Sequence, residues 1–108
     1  MYINKMAVVN TILYELFNNK RTITLNQLCW LLYNIDADYK KQYKTNDTLS
    51  YGDLTMSNGI PQYTNLCCYY KTYKHKPIEK FWHDAKDKVY YLEGDLGNFV
   101  VDEVNKYC

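Results

Sequence analysis

The stretch TLNQLCWLLYNIDADYKKQY, residues 24–43, decides the fold because it carries a helix start followed by a continuous apolar stripe. Thr24 and Gln27 stand three residues apart, the spacing of a capping box, in which each side chain bonds the other residue's backbone amide. Beyond them, apolar side chains recur every three or four residues, at Leu25, Leu28, Cys29, Leu32, Ile35 and Tyr39. This period predicts an amphipathic helix that ends near Tyr43.

The segment before this stretch predicts another amphipathic helix, over residues 2–19. Its apolar positions also advance by three or four, at Ile3, Met6, Val9, Leu13, Leu16 and Phe17. Its predicted polar side holds Asn4, Lys5, Asn10, Thr11 and Glu15. In the 24–43 helix, Trp30 and Leu31 lie off the apolar stripe, which predicts that the helix is covered on more than one side.

The middle of the chain combines turn-forming residues with short extended candidates at residues 48–51 and 54–56. The turn formers are Asn46-Asp47, Tyr51-Gly52-Asp53 and Ser57-Asn58-Gly59. Ile60-Pro61 then predicts the start of a third helix, because proline at the first helical position lacks only a donor that the helix does not need. This helix would run to Lys74 with one apolar face, Ile60, Tyr63, Leu66, Cys67, Tyr70 and Tyr73, and with Tyr69 off that face.

Toward the C-terminus, residues 78–83 and 88–92 flank a turn-like tetrapeptide, which predicts a β-hairpin. Asp95 is the predicted cap of a last helix that carries Phe99, Val100, Val104 and Tyr107. The prediction is a single domain over residues 1–108. Its class is α+β, mostly α-helical, with about four helices and one or two short β-hairpins.

Tyrosine dominates the composition, with 13 of 108 residues, while the net charge is only +1. Tyrosine offers a large contact area with a polar tip and is enriched at protein interfaces, which predicts a binding module. AT-rich coding would also raise tyrosine, lysine and asparagine, and the sequence leaves that alternative open. A charge so close to zero disfavours a general nucleic-acid binder, which needs an excess of cations for phosphate contacts.

The sequence shows no targeting or membrane segment. Residues 1–17 are interrupted by polar side chains and lack the continuous apolar region of a signal peptide. No stretch approaches the roughly 20 apolar residues of a membrane span. We therefore expect no membrane partner and a cytoplasmic location in a bacterial host cell, where the four cysteines stay reduced.

Several stretches of the chain resemble the Panacea domain, also called SocA-like, of prophage and mobile-element proteins and antitoxins. The family's hydroxyl-x-Leu-x-Lys-Leu-Leu-Tyr pattern is matched by residues 22–33, TITLNQLCWLLY. Its strand with a Gly-Pro-Val turn is matched by residues 54–61, LTMSNGIP, and its Val-Tyr-x-x-Tyr-Lys helix by residues 68–74, CYYKTYK. Lys76-Pro77-Ile78 and the helix of residues 99–107 correspond to the family's remaining segments.

The resemblance implies an α-rich domain that acts by binding and has no catalytic residues or cofactor. Such domains neutralise a toxin or act as adaptors, and a compact phage or prophage version would inhibit a host-defence nuclease, as an anti-CRISPR protein does. Nucleic acid would then be met only as part of the partner complex. Two positions depart from the family, because Met56 stands nearest the place of its tryptophan and Ile60 splits its Gly-Pro pair.

The partner-binding surface is predicted on the third helix and the residues after it, where aromatic and basic side chains alternate. The candidates are Tyr69, Lys71, Tyr73, Lys74 and His75, with Trp82 as a further anchor. The alternative function is a small nucleic-acid-binding regulator, because such a mixture can stack bases and hold phosphates.

The sequence gives little support for an enzyme or a metal site. Cys67, Cys68 and His75 are close in sequence, but neighbouring residues on a helix point about 100° apart, which suits a tetrahedral site poorly. His83 beside Asp84 is predicted to be a solvated turn residue, and the glycines form no phosphate-binding loop. We therefore predict a non-enzymatic protein without metal or cofactor.

Overall fold

The computed structural model describes residues 3–50 and 53–108, and within them the chain forms four α-helices and one antiparallel β-hairpin. They are α1 (Lys5–Asn18), α2 (Leu25–Tyr43), β1 (Leu54–Ser57), β2 (Ile60–Tyr63), α3 (Thr64–Tyr69) and α4 (Gly94–Tyr107). This confirms the predicted α+β, mostly helical class. Parts of the predicted elements fall outside the described residues, at Tyr2, Tyr51 and Gly52.

The chain divides into two compact units. The first unit joins Met1–Thr22 to Glu79–Cys108 and contains α1 and α4. The second unit, Ile23–Ile78, contains α2, the hairpin, α3 and a 3-10 turn at Lys71–Tyr73. The single domain predicted from the sequence stays a prediction. Within the described residues, none of the helices is both long and apolar enough to cross a lipid bilayer.

The first unit is built on the packing of α1 against α4. α1 begins at Asn4, whose Oδ1 accepts hydrogen bonds from the amides of Met6 at 3.0 Å and Ala7 at 3.2 Å. The core side chains of the two helices include Val8, Val9, Ile12, Leu13, Leu16, Phe99, Val100 and Val104. The predicted polar side of α1 is wrong at two positions, because Asn10 and Thr11 are buried.

The predicted C-terminal β-hairpin is reduced, in the described chain, to a turn at residues 84–87 and a single β-bridge between His83 and Val89. The reason lies on α1. The side chains of Asn10 and Thr11 bond the backbone on either side of the turn, so those groups are not free to form a longer ladder.

The start of α4 lies one residue before the predicted cap. Glu93 is the N-cap, and Asp95 lies inside the first turn, where its negative charge still favours the positive end of the helix. Gly94 between them has a φ of +67°, in the left-handed region that glycine tolerates without a side-chain clash.

In the second unit, α2 starts as its sequence predicts. The Thr24 amide donates to Gln27 Oε1 at 2.9 Å, and the Gln27 amide donates to Thr24 Oγ1 at 3.3 Å, which completes the capping box. The apolar stripe is buried, and so is Leu31. The expectation that Trp30 is also covered is wrong, because its side chain is 43% exposed.

A hairpin replaces the predicted start of the third helix at Ile60-Pro61. Asn58 and Gly59 have φ values of +51° and +78° and form a two-residue turn of the kind that favours Asn-Gly. The chain therefore continues as β2 through Tyr63, and α3 begins only at Thr64. The other extended segment is predicted at residues 48–51. Residues 48–50 lie in the described part of the chain, and they form no β-strand.

Candidate functional site

The predicted tyrosine-rich segment spans the end of α3 and the 3-10 turn after it. Tyr70 is fully buried, and its ring meets the edges or faces of Tyr69 and Tyr73 at centroid distances of 4.8 and 6.0 Å. Tyr69 and Tyr73 are half-buried. The three rings thus form a packed cluster that is partly interior, and only portions of Tyr69 and Tyr73 reach solvent.

Basic side chains surround this cluster and are exposed. Lys71, Lys74 and His75 all lie on the surface. The Nζ of Lys76 lies 5.2 Å from the centre of the Tyr73 ring, within the range of a cation–π contact. Five of the six predicted site residues therefore fall in one short segment of the second unit, where half-buried tyrosine rings alternate with exposed basic side chains.

Trp82, the sixth predicted residue, belongs to the first unit and is only 7% exposed. Asn10 holds its backbone from α1 at two atoms. The expectation that Trp82 is an exposed anchor is therefore wrong, since its ring is part of the core of that unit.

A second surface, not predicted as a site, lies along α2. Its members are spaced by three or four residues, and all are exposed; we call Trp30, Tyr33, Ala37, Lys40 and Lys44 the outer stripe. Trp30 and Tyr33 meet edge to face with centroids 6.1 Å apart. The sequence does carry a signal for this surface, because Trp30 lies off the apolar stripe and Tyr33 follows it by one helical turn.

A groove of about 490 Å³ lies beside the outer stripe in the same unit. Its lining includes Tyr33, Ala37 and Lys40 from α2, together with Asp53, Leu54 and Tyr63. This volume is within the range of small-molecule and side-chain pockets. The groove thus extends the exposed face of α2 toward the hairpin.

Asp36, one of the two acidic residues that line this groove, is used structurally. Its Oδ1 accepts a hydrogen bond from the Leu49 amide at 2.6 Å, and its Oδ2 accepts bonds from the hydroxyls of Ser50 at 2.6 Å and Tyr63 at 3.4 Å. Burial, and next the charge of Asp36, raise the pKa of Tyr63. Asp36 therefore fastens residues 49–50 to α2 and keeps little acceptor capacity for chemistry.

Two of the three cysteines of the second unit, Cys29 on α2 and Cys67 on α3, are neighbours. Burial, followed by the nearby thiol of Cys67, raises the pKa of Cys29 to about 12, which keeps Cys29 a neutral thiol. The Sγ of Cys67 donates to Gln62 Oε1 at 3.2 Å. Across the described part of the chain, no three histidine, cysteine or acidic side chains are grouped so that they could hold a metal ion.

No family model, no curated protein and no solved structure matches this chain. The resemblance to the Panacea domain therefore stays an expectation from the sequence. The candidate binding surfaces are the outer stripe of α2 and the tyrosine-rich segment, both in the second unit.

Proposed function

We propose that this protein acts without catalysis, by binding and inhibiting a protein partner, and that the outer stripe of α2 is the centre of the contact. The observation that carries the proposal is the pair Trp30 and Tyr33, which are 43% and 39% exposed and stack edge to face on one helix. Tryptophan and tyrosine are the residues most enriched at the energetic centres of protein interfaces.

The setting of the pair suits recognition. The opposite side of α2 is buried from Leu25 to Tyr39, so the two rings stand on a rigid support that loses little entropy when a partner binds. The groove beside Tyr33 can accept a side chain of the partner. The protruding pair of aromatic rings and the groove beside it together form a surface whose shape a protein partner can complement.

Charge narrows the kind of partner. The outer stripe ends in Lys40 and Lys44, and the tyrosine-rich segment of the same unit adds exposed Lys71 and Lys74. An acidic partner surface would be attracted to these cations and oriented by them. A host-defence nuclease of the CRISPR type fits this description because its bound nucleic acid is acidic, and a toxin fits it where its own surface is acidic.

The test is a capture from the native host followed by a binding titration with the captured protein. We expect wild type to bind and the Trp30→Ala and Tyr33→Ala variants to lose at least tenfold in affinity, because truncating a central aromatic residue removes about 2 kcal/mol or more. Tyr14→Ala is the matched control, since Tyr14 is a 51% exposed tyrosine of the first unit. Equal binding by all four proteins would refute the proposed surface.

A nucleic-acid-binding regulator is the second candidate, favoured by Lys76 above the ring of Tyr73 and by exposed Lys71 and Lys74. Such a surface can hold phosphates while an aromatic ring stacks on a base. Titration with single-stranded DNA and RNA at increasing salt separates the two functions. Affinity for free DNA or RNA that falls steeply with salt favours the regulator, whereas binding of the captured protein without measurable affinity for free nucleic acid favours the inhibitor.

A further inference from the structure

The strand β1 has one side paired with β2 and one side open. Its residues from Leu54 to Ser57 lie opposite Tyr63 to Ile60. The carbonyl of Asp53 accepts a bond from the Thr64 amide at 3.2 Å, which fixes the phase of the ladder. Because hydrogen-bonded and non-bonded pairs alternate along an antiparallel ladder, Thr55 and Ser57 bond β2, and the backbone groups of Leu54 and Met56 point away from it.

The position of Pro61 agrees with this phase. Pro61 lies opposite Met56, a pair whose backbone groups point outward, so the missing proline donor takes nothing from the ladder. Among residues 3–50 and 53–108, no turn or loop hydrogen bond reaches the amides or carbonyls of Leu54 and Met56. β1 therefore presents two donors and two acceptors at the spacing that another extended strand would match.

This edge also lacks the features that normally protect one. Edge strands usually carry lysine, proline or a bulge that blocks pairing with another chain. β1 reads Leu-Thr-Met-Ser, with no charge and no proline, and all four of its residues are exposed. Met56 is 55% and Leu54 is 45% exposed, although both are large apolar side chains.

We infer that this edge pairs with the same edge of a second copy of the chain, antiparallel and about a two-fold axis at Thr55. In this register, Leu54 faces the second copy's Met56, and Met56 faces the second copy's Leu54. Every outward backbone group of one copy then meets its complement on the other. The contact is closed and self-complementary, as a two-fold interface requires.

The side chains agree with the same register. Leu54 and Met56 lie on one face of β1, so the pairing places these apolar side chains against each other across the new ladder. Asp53 comes opposite the second copy's Ser57, so no like charges face each other. The product is a four-stranded sheet, which is more stable than the isolated two-stranded hairpin. This dimer does not depend on the proposed inhibitory function.

The decisive experiment combines sedimentation velocity over a wide range of protein concentration with amide exchange of residues 54–57 by NMR. We expect a dimer at high concentration, in which exchange of the Leu54 and Met56 amides slows toward that of Thr55 and Ser57. In dilute monomer, only Thr55 and Ser57 are expected to be protected. A chain that stays monomeric throughout, or a dimer that leaves the Leu54 and Met56 amides unprotected, overturns the inference.

Variants at Met56 separate the backbone contact from loss of folding. Met56→Pro removes an outward donor and fixes the backbone φ of residue 56, but it takes no hydrogen bond from the β1–β2 ladder, and it is expected to give a monomer. Met56→Leu retains the donor and an apolar side chain and should still dimerise. Met56→Lys places a charge at an exposed position without altering the backbone and is expected to give a folded monomer by circular dichroism. A dimer that persists in Met56→Lys also contradicts the inference.

Discussion

The side-chain amide of Asn10 forms hydrogen bonds in both directions with the backbone of Trp82. Its Nδ2 donates to the Trp82 carbonyl at 2.6 Å, and its Oδ1 accepts from the Trp82 amide at 2.6 Å. Nδ2 also donates to the Tyr90 carbonyl at 3.1 Å. One buried residue of α1 therefore holds the backbone on both sides of the 84–87 turn in the first unit.

Replacing Asn10 by alanine should destabilise the first unit strongly. The change leaves the buried amide and carbonyl of Trp82 without their partner, at about 1–3 kcal/mol for each group, and also removes the part-buried bond to the Tyr90 carbonyl. We expect the free energy of unfolding to fall by about 3 kcal/mol or more, measured by urea denaturation followed by circular dichroism. Asn105→Ala is the control, because that exposed amide makes one 3.4 Å bond to Glu15 and should change little. Equal, small effects of both changes would contradict this role of Asn10.

The Asp36 site of the second unit offers a parallel test. Asp36→Asn keeps the shape of the side chain but replaces one acceptor oxygen with a donor, which then faces the Leu49 amide or the Ser50 hydroxyl. We expect a loss of about 2 kcal/mol in the free energy of unfolding. Asp102→Asn, at an exposed position of α4, provides the control in the same urea experiment. An Asp36→Asn variant as stable as wild type would show that residues 49–50 are held by other contacts.

Alkaline pH should destabilise the protein through Cys29. Its thiol pKa rises from 9.0 to about 12 in the folded chain, so the folded state retains a proton that the unfolded state releases. The stabilisation is complete below pH 9 and is lost progressively as the pH rises from 9 to 12, by up to about 1.4 kcal/mol per pH unit.

The measurement is the slope of unfolding free energy against pH in wild type and in Cys29→Ala. The variant removes the thiol and should give a shallower fall between about pH 9 and 10. Above about pH 10 both proteins should lose stability, because burial also raises the pKa of Tyr63 and Tyr70. Parallel slopes over the lower interval would exclude Cys29 as the titrating group.

The parts of the fold that sequence predicts well are those decided by local signals. The Thr24–Gln27 capping box and the apolar period after it need no distant contact, and α2 forms with the expected bounds. The hairpin at Asn58-Gly59 also has a local signal. Ile60-Pro61 is a competing signal for a helix start, and the turn prevails because pairing with Leu54–Ser57 extends the chain through Tyr63.

The positions that sequence does not predict depend on distant parts of the chain. Asn10 and Thr11 read as solvent-facing polar residues, but each bonds backbone groups some 70 or more positions away, which spacing cannot reveal. Trp82 is predicted as an anchor for a partner, yet it is buried in the core of the first unit. Conversely, Trp30 reads as core by its chemistry and lies on the surface.

Substitutions in the tyrosine-rich segment should separate stability from binding. Tyr73→Ala should lower the free energy of unfolding by about 1 kcal/mol, because the half-buried ring contacts Tyr70 at 6.0 Å. The double change Lys71→Glu and Lys74→Glu alters only exposed side chains and should leave stability unchanged. It should nevertheless weaken binding of an acidic partner about tenfold, mainly through slower association.

The two effects are measured by urea denaturation and by association kinetics with the captured partner. The double change Lys86→Glu and Lys88→Glu, at two exposed positions of the first unit, is the control because it alters the net charge by the same amount. If the two double variants associate equally slowly, long-range charge alone explains the effect. The segment from Tyr69 to His75 then makes no specific contact, and the outer stripe of α2 remains the surface to test.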